Sequence, residues 1–134
     1  MEYGIVNVDI HVHADQDLDR LWENDPEAAA AVHAALEQLE ADPKFIDKLT
    51  TYGNNNLGQS SISVKRWESA RGKGNLWRFR VLDTPATEYR VVYGYHWQTR
   101  QLCVLAIAHK EEFDYDNHNS GIAQRVLADW RVLF

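Results

Sequence analysis

Four cationic residues, Arg78, Arg80, Arg90 and Lys110, lie within "LWRFRVLDTPATEYRVVYGYHWQTRQLCVLAIAHKEEFDY", residues 76–115, in segments that otherwise read as buried strands. A guanidinium stays protonated across the physiological range and grips phosphate or carboxylate through paired hydrogen bonds. Arginine therefore supplies charge and geometry but no proton transfer. His109, next to Lys110, adds a ring that exchanges its proton near neutrality. These residue types allow an anion site with an acid or base at its edge. Two plainer readings stand beside it. Glu88 could be a structural ion-pair partner of the arginines, and solvated strand faces carry Arg and Lys without any ligand.

The distribution of charge favours the anion site. From Lys65 to Lys110 nine Lys and Arg face three acids, Glu68, Asp83 and Glu88, whereas the rest of the chain holds five basic and seventeen acidic residues. The overall net charge is -6, so only a local basic surface could attract a polyanion. Lys65, Arg66, Arg71 and Lys73 begin this basic segment. "RGKGN" at 71–75 lacks the spacing of a phosphate loop and the helix that should follow it, and reads as a basic hairpin loop. Trp67, Trp97 and Phe113 could stack on unpaired bases, although Trp97 is expected in the core.

The elements that must position these residues follow from periodicity. A chain of 134 residues, 45% hydrophobic, suits one domain with a real core. "GIVNVDIHVH" alternates like a strand, and "DQDLDRLWEN" places Leu18, Leu21 and Trp22 on one side of a short helix. Asp25 and Pro26 open a second helix with Val32, Ala35, Leu36 and Leu39 as its apolar stripe. Asp42 and Pro43 start a third through Leu49, and "YGNNNLGQ" reads as a loop. Four strands follow in "SSISVKRW", "LWRFRVL", "EYRVVYGYHW" and "QLCVLAIAH", with short connections that imply antiparallel neighbours. A last helix, with Ser120 as its cap, carries Ile122, Val126, Leu127 and Trp130 on one side. The predicted fold is α+β: a small, mostly antiparallel sheet with the N-terminal helices packed on one face, and a C-terminal helix.

Strand parity then sorts the side chains. Arg78 and Arg80 point away from Trp77, Phe79 and Val81, while Glu88, Arg90, Val92 and His96 point away from Tyr89, Val91, Tyr93, Tyr95 and Trp97. If the apolar faces share a core, the three arginines share the opposite surface.

"LWRFRV", "EYRVVY" and "VLAIAHK" in succession, after a strand and paired helices, resemble the RelE/ParE superfamily of toxins from bacterial type II toxin–antitoxin systems. The resemblance runs from about Ile5 to Tyr115. It implies a compact α+β domain whose partners are a cognate antitoxin and messenger RNA; a cytoplasmic location is expected separately, from the lack of a bilayer-spanning run or a signal-peptide pattern. In members that are mRNA interferases, RNA is cut without metal or cofactor; ParE-type members instead poison DNA gyrase. A catalytically silent interaction module of the same fold is a third possibility. Carried over position by position, the basic pair of the first motif falls on Arg78 and Arg80 and the sheet arginine on Arg90. The end of the last strand falls on His109 and Lys110, and the aromatic that follows on Phe113 or Tyr115. The "DTPATE" insertion and a pI near 5.4 depart from the family pattern.

Such cleavage uses a ribose 2′-hydroxyl as nucleophile on the adjacent phosphate. It needs a base, cations for the phosphoryl oxygens and an acid for the leaving 5′-oxygen. The arginines would stabilise charge and His109 would move the proton, with Lys110 and Tyr115 as its alternatives. "DIHVHAD" resembles the metal strand of amidohydrolase-like enzymes, with His11 and His13 on one strand face, but the barrel and remaining ligands of those enzymes are missing, so no metal is expected. Cys103 reads as a buried apolar thiol. No apolar run is long enough to cross a bilayer, and the N-terminus does not look like a signal peptide.

Overall fold

The computed structural model of the chain describes residues 7–42, 46–70, 72–113 and 121–133. Its strands are β1 (Asn7–Ile10), β2 (Gly53–Leu57), β3 (Ser60–Arg66), β4 (Leu76–Val81), β5 (Tyr89–His96) and β6 (Gln101–His109). Its α-helices are α1 (Val12–Asn24), α2 (Pro26–Ala41), α3 (Ile46–Leu49) and α4 (Gly121–Leu133). The strands form one sheet in the order β1-β6-β5-β4-β3-β2. Only β1 with β6 is parallel; the other neighbours are antiparallel. Among the described residues no helix is long and apolar enough to cross a membrane.

Two departures from the predicted elements have local causes. The first strand stops at Ile10 because His11 caps α1, its Nδ1 accepting the His13 N–H at 3.1 Å. His11 and His13 therefore sit at a helix start, not on a strand face. The second departure is β2, in the stretch expected to be a loop. Its asparagines have poor strand propensity, but a two-residue turn with Gly58 at φ 59 folds it back onto β3. Gln38 of α2 fixes that turn: its Oε1 accepts from the Gln59 N–H at 2.5 Å and its Nε2 donates to Ser60 Oγ at 2.7 Å.

The second helix begins as its sequence dictates. Pro26 holds the first helical position and the Asp25 carboxylate accepts the Ala28 N–H at 3.2 Å. Leu18 and Leu21 of α1 and the Val32, Ala35, Leu36 and Leu39 stripe of α2 bury themselves against Phe79, Val91, Tyr93 and Val104 on one sheet face. The other face is also covered. Ala123, Val126, Leu127 and Trp130 of α4 form a second core with Trp67, Leu76, Val92, Leu105, Ala106 and Phe113. The sheet is thus the middle of three layers.

The two outer layers meet around the edge of β6. Strand β1 covers β6 only from Gln101 to Val104, and Leu105 is an extra residue in the β5–β6 register. Beyond it, side chains replace a strand. The Ile107 N–H donates to Asp17 Oδ2 at 3.0 Å, and Arg125 Nη2 donates to the Leu105 carbonyl at 3.2 Å. Arg125 also holds Asp17 with two hydrogen bonds, at 3.1 and 2.6 Å, and Arg20 adds a third donor. Asp17, 5% exposed, joins α1, β6 and α4.

Trp130 lies directly on Gly94 and Gly74, where a Cβ would overlap its ring. Gly94→Ala is expected to cost about 1–3 kcal/mol through overpacking, because backbone and indole cannot both hold their places. Urea denaturation measures this, and an unchanged midpoint would mean that Trp130 moves freely.

Candidate nucleic-acid interface

Cross-strand pairing decides which cations meet. Lys65 pairs with Arg78 and Ser63 with Arg80, while on β5 Val92 pairs with Arg78 and Ala108 of β6 with Arg90. Paired residues share a sheet face. Because Val92 and Ala108 belong to the second core, Lys65, Arg78, Arg80 and Arg90 all project on the side that carries α4. Phe79 and Val91 are paired, so Arg80 and Arg90, one step beyond, are also close neighbours. Lys65 is exposed and the three arginines half-buried. The arginines do share the surface that strand parity requires. Arg90 is braced where the chain enters β5, donating to the carbonyls of Thr87 at 2.9 Å and Tyr89 at 3.3 Å.

Other expected RNA contacts lie elsewhere. Arg66 pairs with Trp77, and its guanidinium lies over that ring at 5.8 Å, on the face of the first core. Adjacent residues of one strand face opposite ways, so Lys65 and Arg66 cannot serve one site. Trp67 and Phe113 are 1% and 2% exposed and meet edge to face at 4.9 Å. They hold the second core together and offer no ring to a base. Trp97 is the reverse: expected in the core, it is 69% exposed because β5 ends at His96 and the tryptophan falls in the turn before β6. It lines a cleft of about 380 Å³ with Lys73, Tyr95, His96 and Arg131. An exposed indole beside two cations is what base stacking requires. The signal for it in the sequence was the turn "QTR" immediately after the tryptophan. Arg71 and Tyr115 lie outside the described residues.

His109 faces away from Arg78 and Arg80. It pairs with Tyr89, and the two rings meet edge to face at 5.3 Å over a cleft of about 280 Å³ that Arg20 and Glu112 also line. The Glu111 N–H donates to His109 Nδ1 at 3.2 Å, so the neutral ring carries its proton on Nε2. Lys110 instead pairs with Glu88: Nζ lies 2.6 Å from Oε2, and the Lys110 N–H donates to the Glu88 carbonyl at 2.8 Å. The side-chain hydrogen bond from Lys110 Nζ, followed by the charges of Lys110 and Arg90, holds the Glu88 carboxyl below its usual range. Arg90, His109 and Lys110 therefore gather around Glu88 at one end of the sheet. The expected catalytic set is divided, with Arg78 and Arg80 along one face, His109 on the other and Glu88 at the rim between them.

Cys103 is buried, as expected, and burial followed by the carboxylates of Asp9 and Asp129 pushes its thiol up to about 11. A thiol so disposed is a poor nucleophile. No protein-family model, no curated protein and no solved structure matches the chain.

Proposed function

We propose that the chain is a cytoplasmic toxin of the RelE/ParE type that binds messenger RNA, cleaves it by 2′-hydroxyl attack on the adjacent phosphate, and is neutralised by a cognate antitoxin. The observation that carries this reading is the row Lys65, Arg78, Arg80 and Arg90 on one sheet face of an otherwise acidic protein. Its charges suit a phosphate backbone. The row leads to the rim where Arg90 can meet a phosphoryl oxygen and His109 presents Nε2–H to a leaving or non-bridging oxygen. For His109 to take a proton at Nδ1, the turn holding Glu111 must open. The reaction that the family resemblance implies takes no cofactor.

A second reading rests on the separation of His109 from Arg78 and Arg80 by the sheet itself. It is a binder that uses the cationic face without cutting RNA, as an inhibitor of gyrase or as an interaction module. Mapping RNA ends after brief induction separates the two: new 5′ ends within minutes support the nuclease, and arrested growth with intact RNA supports the binder.

RNA binding is expected to weaken with salt, and Lys65→Ala and Arg78→Ala should each reduce the slope of log affinity against log salt by about 1. Arg66→Ala, on the opposite face, should leave it unchanged. Equal slopes in all four proteins would move the anion site elsewhere.

A further inference from the structure

We propose that His11, His13 and Asp129 form a binding site for a divalent transition-metal ion, zinc foremost. This goes beyond the RNA reading and does not depend on it. The three residues come from opposite ends of the described chain, and one ligand atom from each lies within 4.8 Å of the other two. His13 Nδ1 is 2.6 Å and His11 Nδ1 3.6 Å from the same oxygen, Oδ2 of Asp129, and the two imidazole centroids are 4.8 Å apart. Ligand atoms about 2.1 Å from a zinc ion lie roughly 3.4 Å from one another in a tetrahedron. The observed separations bracket that value, and because His11 Nδ1 now accepts the His13 N–H, closing the site requires His11 to give up that cap and turn its lone pair to the ion.

The donor set favours such an ion. Two imidazoles and one carboxylate suit zinc and its neighbours better than calcium or magnesium, which take oxygen donors. The fourth position would face solvent, because the His13 side chain is 40% exposed while those of His11 and Asp129 are 19% and 13% exposed. The His13 proton directed at Asp129 is the one that an incoming cation would displace. The positive end of α1 opposes a cation here, but Asp15 in the first turn and Asp129 itself offset it. An ion at this point would join the start of α1 to α4.

The test uses the untagged full chain, freed of metal by a chelator and titrated with zinc chloride against a chromophoric competitor. One equivalent should bind and the melting temperature should rise with zinc. His13→Asn and Asp129→Asn should each weaken binding by more than the roughly 10- to 100-fold that loss of an outer-shell partner costs. His33→Gln, on a histidine paired with Glu37 on α2, should leave it intact. Absence of saturable one-equivalent binding by the unaltered chain overturns the site, as does equal affinity in the two asparagine variants. Should those variants fail to fold, titration of the unaltered chain with cobalt decides: a four-coordinate visible spectrum saturating at one equivalent supports the site, and its absence overturns it.

Discussion

Asp17→Ala is expected to destabilise the protein by about 3–5 kcal/mol, the usual cost of removing one partner from a buried ion pair. The substitution strands the Arg125 guanidinium between α4 and β6, removes the acceptor for the Ile107 N–H and frees Arg20 from its carboxylate partner. Typical domains hold about 5–15 kcal/mol in total, so the loss should appear as a large fall in the urea midpoint. Arg125→Met tests the same junction from the other side, and Asp17→Leu with Arg125→Met should recover only part of the loss. The double variant relieves the stranded charge but leaves the Ile107 N–H and Leu105 carbonyl unpaired. A cost below about 1 kcal/mol for Asp17→Ala would mean that water reaches this edge and substitutes for the carboxylate.

The second large effect concerns chemistry. If the chain cuts RNA, His109→Gln should lower the single-turnover rate by about 100-fold or more while affinity stays nearly unchanged. Glutamine can still donate a hydrogen bond where Nε2–H does, but it cannot carry a proton. Arg78→Ala should do the opposite, weakening binding more than the rate at saturation, since it lies on the face away from His109. If the His109→Gln protein cuts as fast as its parent, His109 serves only to pack on Tyr89, and the proton passes to Lys110 or Tyr115.

The layers were legible where side-chain periodicity is strong. The α2 stripe, the cap at Asp25 and the alternation of β4 each depend on residues close in sequence, and each appears as read. Strand β2 escaped because "GNNNL" has no strand character of its own and exists through its pairing with β3. Parity showed that Arg78, Arg80 and Arg90 would share a face, but only register could show that His109 stands opposite Tyr89 and hence on the other side. Arg66 was separable from Lys65 by parity alone. The Asp17–Arg125 pair and the meeting of His11 and His13 with Asp129 span more than a hundred positions, a separation at which local pattern carries no information.

That span also bears on how the chain folds. Strands β2 to β6 follow one another as an antiparallel meander, so each can pair with its predecessor soon after it is made. Strand β1 cannot: Asn7 waits for Gln101, and Asp17 waits for Arg125, 108 positions away. During synthesis the apolar sides of α1 and α2 therefore emerge well before the strands that complete their cover, and closing so long a loop carries its entropy cost before any reward. The meander and its cationic row can assemble first, while β1 and α1 dock against β6 only after residue 109 is free. The Asp17–Arg125 junction can close only once α4 has been made, which places it among the latest long-range contacts open to the growing chain.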